Sequence, residues 1–145
     1  METKPAYLTV TTRVKAPLDQ VWKFWNEPEH IMQWCHASDD WHAPAATNNP
    51  VTGGQFSTTM AARDGSMQFD WAGVYDEVDP MKRIAYTMSD GRTVDIHFSE
   101  EAGETRITEN FVPENENSLD MQQQGWQAIL DHFKQYTEKQ VGSNT

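Results

Sequence analysis

Cysteine is nearly missing from this sequence: Cys35 is the only one in 145 residues. No disulfide can close within the chain, so the fold must rest on its own core, and a reducing compartment, the cytoplasm, is the expected setting. Long apolar runs are missing as well. No stretch approaches the ~18 residues that span a bilayer, and no basic segment followed by an apolar one opens the chain, so no membrane anchor or membrane partner is expected. Basic side chains are scarce, 11 Lys and Arg against 22 Asp and Glu, which leaves a formal charge of −11 spread along the chain. A field of that sign repels phosphate backbones and argues against a nucleic-acid partner. Repeats, linkers and low-complexity tracts are absent too. Residues 1–145 are therefore read as a single domain with its core within about 7–140, a size that buries ~70% of the surface its unfolded form exposes.

What the chain does have is large rings: six tryptophans, six phenylalanines and four tyrosines in a polar background. Each buried Phe-sized side chain contributes roughly 1.5–3 kcal/mol, so where the rings point decides both core and function. "YLTVTTRV", Tyr7 to Val14, alternates with the period of a half-buried strand. Pro17 then suits a helix start, with Leu18, Val21, Trp22 and Trp25 on one helical face, and Pro28 opens a second short helix that buries Ile31 and Trp34. From Cys35 to Gln55 the period is lost, and Pro44, Pro50, Gly53 and Gly54 predict a long loop. Strand signals resume in series. Asp64-Gly65 and Asp90-Gly91 mark two hairpins, and Gly103 turns the chain into "TRITENFV". From Leu119 onward Trp126, Ile129, Leu130, Phe133 and Tyr136 or Thr137 keep helical spacing, with Gln122, Asp131, Lys134 and Glu138 on the opposite side. Gly125 inside that helix predicts a close approach by another backbone. The expected fold is α+β: a curved antiparallel sheet of about six strands wrapped around a long C-terminal helix, with two short helices after the first strand.

"APLDQVWKFWNEPEHIMQW", "GGQFSTTM", "FDWAGVYDEVDPMKRIAYTM" and "GWQAILDHFKQY" resemble, in that order, the motifs of the activator-of-heat-shock-chaperone-ATPase-like family, over about Tyr7 to Tyr136. That family belongs to the START-like helix-grip superfamily, also called SRPBCC. The resemblance implies a helix-grip domain with an internal hydrophobic cavity; superfamily members bind lipids, sterols, polyketides and other apolar ligands, and some cyclise polyketides. Eukaryotic relatives stimulate the chaperone ATPase with an additional N-terminal domain, for which this length leaves no room. Family members often carry Trp-Trp where this chain reads Trp34-Cys35, a departure at the expected pocket entrance.

The densest chemistry lies in "CHASDDWHAP", Cys35 to Pro44. Cys35, His36, Asp39, Asp40 and His42 are of zinc-ligand type, but no second Cys or His pair follows at a usual spacing, so no metal and no cofactor is expected. Cys35 and His36, as neighbours in an extended segment, point to opposite sides and make no nucleophile–base pair, and no catalytic residue is assigned. The stretch reads best as a lid: Trp34 and Trp41 cover an apolar mouth, while His36, Asp39, Asp40 and His42 meet solvent or a ligand's polar end.

Strand parity sorts the remaining polar groups. Val94, Ile96 and Phe98 should face the helix and turn Asp95 and His97 outward, and Asp70 should be exposed. In "TRITENFV", Ile107 and Phe111 face inward, and Glu109 shares their parity, a carboxylate on the concave face that must be paired, hydrated or protonated. Phe56 and Met60, Phe69 and Trp71, Tyr86 and Met88, and Trp126, Ile129 and Phe133 should converge with it on one pocket. The expected function is binding of a small apolar or amphipathic molecule between sheet and helix. A protein-interaction module with a protein partner is one alternative. The other is a cyclase- or dehydratase-like enzyme, which would need Glu109 and an imidazole, His36 or His42, in one cavity.

Overall fold

A computed structural model describes residues 7–36, 38–114 and 116–142. β1 (Leu8–Val14) leads through α1 (Leu18–Asn26) and α2 (Pro28–Trp34) into six further strands and a final helix. These are β2 (Trp41–Asn48), β3 (Gln55–Ala62), β4 (Gln68–Asp79), β5 (Arg83–Met88), β6 (Thr93–Glu101), β7 (Glu104–Phe111) and α3 (Leu119–Gly142). The sheet is antiparallel throughout, in the order β1-β7-β6-β5-β4-β3-β2. The first strand therefore pairs with the last, and α1 and α2 carry the chain from one edge of the sheet to the other. This is the α+β helix-grip arrangement.

Local chemistry explains most of the turns. Gly65, Gly91 and Gly103 all adopt positive φ, the conformation tight turns require and other residues rarely accept. Pro28 opens α2 at its first position, where its missing N–H costs nothing, and Ile31 and Trp34 are buried as expected. α1 buries Val21 and also Phe24. Along β6 and β7 the burial alternates strictly: Val94, Ile96 and Phe98, then Thr105, Ile107, Glu109 and Phe111, all point inward.

α3 lies across the concave face, with Leu130, Phe133 and Thr137 fully buried. Phe133 packs edge-on against Trp25 and Trp34, with ring centroids 4.8 and 4.9 Å apart. Farther along, Tyr136 is hydrogen-bonded to His30 at 2.7 Å and ties α3 to α2. Among the described residues no helix is long and apolar enough to cross a membrane.

Three expectations need correction. The stretch 35–55 is not one long loop, because Trp41–Asn48 forms β2, an edge strand paired with β3. Its register shifts between His42 and Ala45, where Pro44 has no N–H to donate; edge strands and bulges tolerate proline, central strands do not. Gln122 is buried, 8% exposed, rather than solvated: its amide group closes the turn before α3 through Glu114 and Asn117. Gly125 has no close neighbour. The tight approach is at Gly73, where a Cβ would stand 2.6 Å from the Thr87 carbonyl oxygen and 2.9 Å from the Phe56 ring.

Candidate functional site

Between the concave face and the helices lies a mostly apolar cavity of about 90 Å³. The sheet contributes Phe56 and Thr58 from β3, Trp71 and Tyr75 from β4, Ile84 and Tyr86 from β5, Ile96 from β6 and Glu109 from β7. Trp25, Ile31, Trp34 and Cys35 close it from the α1–α2 side, Trp126 and Ile129 from α3. Alternation sets the sheet wall, since Trp71, Gly73 and Tyr75 share one face of β4 until the bulge between Tyr75 and Glu77 shifts the register.

Hydrogen bonds hold the polar rim. The Tyr75 hydroxyl donates to Asn48 Oδ1 at 2.5 Å, and Asn48 Nδ2 donates to the Asn26 carbonyl at 2.7 Å, linking β4, β2 and the end of α1. Trp34 Nε1 donates to the Phe24 carbonyl at 3.0 Å and fixes its ring. Trp71 is bonded to the Tyr86 hydroxyl. Trp126 stacks flat on Phe111 at 4.0 Å and meets Trp71 edge-on at 4.8 Å. Both tryptophans also border an outer cleft of about 470 Å³ with Asp70, Asp90, Arg92 and Glu114, so their pair stands between the two spaces.

Glu109 is different from every other wall residue. It sits in register between Val10 of β1 and Ile96 of β6, is 6% exposed, and its carboxyl finds no hydrogen-bond partner among the described residues. Burial alone pushes its pKa from the usual 4.5 up to about 8, so at neutral pH it is mostly the protonated acid. Burial, and secondarily Glu109, pushes the Cys35 thiol up to about 12, which removes the thiolate a nucleophile requires. Tyr86 is raised well above its ordinary value for the same two reasons.

Of the residues expected at the pocket, Trp34, Phe56, Trp71, Tyr86, Glu109, Trp126 and Ile129 lie on the cavity wall. The others do not. Phe133 is completely buried beneath it in the core. Met88 and Phe69 border the outer cleft, and Phe69 is 46% exposed. Phe69 shares Trp71's parity but stands nearer the hairpin, where its ring neighbour is Trp41 at 5.8 Å. Met60, opposite Phe69 in register, is buried away from the cavity, and Trp41 belongs to β2 rather than to a lid over the mouth. Tyr75 was readable from β4 parity and Trp25 from its helical face, whereas Asn48 and Thr47 had no signal while their strand read as loop.

His36 also leaves the cavity. Its ring lies 4.5 Å from that of His132 on α3, and His132 Nδ1 is bonded to the His36 carbonyl at 2.5 Å. Burial first, then the neighbouring His132, holds the His36 pKa below its usual value. His36, Asp39 and His132 bring one potential ligand atom each within 4.8 Å of one another, as do Glu27, Glu29 and His30 at the surface. Residues from "CHASDDWHAP" that could hold a cation thus need a partner from α3, and neither Cys35 nor His42 is among them. Neither His36 nor His42 lines the cavity, so the pairing of Glu109 with an imidazole that a cyclase-like mechanism would require is not made.

A profile of the family described as Activator of Hsp90 ATPase homolog 1-like protein matches residues 15–138. The chain belongs to this family. An AHSA1-like protein from Aeromonas hydrophila, solved in solution, is 38% identical, with a TM-score of 0.84 over 92% of this chain and 94% of that one. A Cytophaga hutchinsonii protein is 52% identical, with a TM-score of 0.81 over 95% and 96%. A Nitrosomonas europaea protein shares the fold at only 18% identity, with a TM-score of 0.80 over 94% and 97%. Among curated proteins none matches. AHSA1-like and START-like domains serve as ligand-binding or interaction modules, and the fold places this chain in that general class.

Proposed function

We propose that this AHSA1-like domain binds a small apolar or amphipathic molecule between the sheet and α3, with Glu109 as its polar anchor. One observation carries the reading: a buried carboxyl without a protein partner faces a cavity whose other walls are mainly aromatic. Leaving such a group unsatisfied costs several kcal/mol, so evolution of a plain core would have placed an apolar side chain there. The cavity itself is inexpensive. At ~24 cal/mol per Å³, 90 Å³ left empty forgoes only about 2 kcal/mol, which a domain stable by ~5–15 kcal/mol tolerates. Among the described residues the wall holds no base beside Glu109 and no ionised thiol, so binding rather than acid–base turnover is the chemistry its residues support.

Native mass spectrometry of the full chain, purified gently from its own cells, tests this. The expected result is a retained small molecule that Trp71→Ala and Glu109→Gln weaken. A ligand-free mass, together with no xenon-induced NMR shifts at Ile96 or Ile129, would overturn the proposal.

A further inference from the structure

The cavity's polar equipment has one sign. Its ionisable groups are Glu109 from β7, Cys35 after α2, Tyr75 from β4 and Tyr86 from β5; the wall residues of α1, α3, β2, β3 and β6 carry none. Among the described residues no lysine, arginine or histidine lines it. An anionic ligand would meet Glu109 with no counter-charge, inside a chain of formal charge −11. Of the two phenol groups, Tyr75 donates its hydroxyl to Asn48, while the Tyr86 oxygen accepts from the Trp71 indole N–H, so a single neutral hydroxyl is left to meet an anion. Four of the six tryptophans, Trp25, Trp34, Trp71 and Trp126, border this one space, and indole is the strongest cation-binding ring among the side chains. On the far side of the Trp71–Trp126 pair lies the outer cleft, where the carboxylates of Asp70, Asp90 and Glu114 border one guanidinium, Arg92, itself paired with Asp90 at 2.7 Å.

We propose that the cavity recognises a small organic cation, an amine or quaternary ammonium group, held between the Glu109 carboxylate and the surrounding indoles. This rests on the small-molecule reading above and narrows it to one ligand class. The volume of about 90 Å³ admits only a compact cationic head. The carboxyl supplies a charge only by giving up its proton. Before binding, burial keeps Glu109 protonated up to about pH 8; a quaternary cation, which has no proton of its own, draws it into the ionised form and one proton passes to solvent. An unpartnered acid thus becomes half of a charge pair when the ligand arrives.

Isothermal titration of the full chain with tetramethylammonium, choline and benzyltrimethylammonium, each beside its uncharged tert-butyl isostere, tests the proposal at pH 6, 7 and 8. At least one cation should bind ten or more times tighter than its neutral isostere at pH 8. Its affinity should fall about tenfold from pH 7 to pH 6, with close to one proton released per site in buffers of different ionisation enthalpy. Glu109→Gln, checked for folding by circular dichroism, should lose that preference while still admitting the neutral isostere. If neutral isosteres bind as tightly as the cations, or the preference survives in Glu109→Gln, the cation assignment is wrong and the small-molecule site stands. If nothing binds and xenon does not enter the cavity, both readings fall.

Discussion

Glu109→Gln should make this protein more stable, and by an amount that depends on pH. The folded carboxyl has a pKa of about 8 against the usual 4.5 because burial disfavours its charge. Since the folded value lies above the unfolded one, the native state keeps a proton that the unfolded chain releases. Stability from this group is complete below pH 4.5 and is lost as pH rises through about 8. At ~1.4 kcal/mol per pH unit the loss reaches about 3 kcal/mol at pH 7 and about 5 kcal/mol above pH 8. Water drawn to the carboxylate reduces both figures, which are upper values. Glutamine keeps the shape and removes the titration. The variant should therefore match the wild type near pH 4 and exceed it at pH 7, by up to ~10 °C in Tm for a domain of this size. Urea unfolding of both proteins from pH 4 to 9 isolates the effect, because every other titrating group cancels in the difference. A difference that stays flat within ~0.5 kcal/mol, or a variant less stable than wild type at pH 7, would refute the reasoning.

Four other outcomes follow from the same packing. Phe133→Ala, at a fully buried ring between Trp25 and Trp34, should cost about 3–5 kcal/mol, read as a lower urea midpoint with an unchanged slope. Gly73→Ala should destabilise, since its Cβ would meet the Thr87 carbonyl oxygen at 2.6 Å, while Gly125→Ala meets nothing and should stabilise α3 by up to ~1 kcal/mol. The Cys35 thiol, pushed up to about 12, should resist iodoacetamide at pH 8 in the folded protein and react at an ordinary rate in 6 M guanidinium; fast native labelling would show that burial does not govern it.

How much was legible in advance follows the physics of each element. Alternation along β6 and β7 placed Glu109 on the concave face because a strand's period of two leaves no choice once Ile107 and Phe111 face inward. The Asp-Gly hairpins and the helix-opening Pro28 were equally readable, since each reports a local backbone requirement. β2 was hidden because its proline and alanines carry no strand preference, and only pairing with β3 makes it a strand. Gln122 misled for a related reason: helical spacing put it on the polar face, but the chain returning at Glu114 and Asn117 buried it. Parity likewise could not tell Trp71 from Phe69, because whether α3 covers a strand position is tertiary information. His36 and His132 stand 96 residues apart, and no spacing within the loop pointed to their contact.

The most direct test is the titration of one atom. Carbon-13 NMR of the Glu109 carboxyl, assigned by its loss in Glu109→Gln, should show a midpoint near pH 8 in the free protein and an ionised carboxylate at pH 7 once a ligand cation is bound. A midpoint near 4.5, indifferent to any ligand, would mean that the carboxyl meets bulk water, and no anchored cavity of this kind would remain.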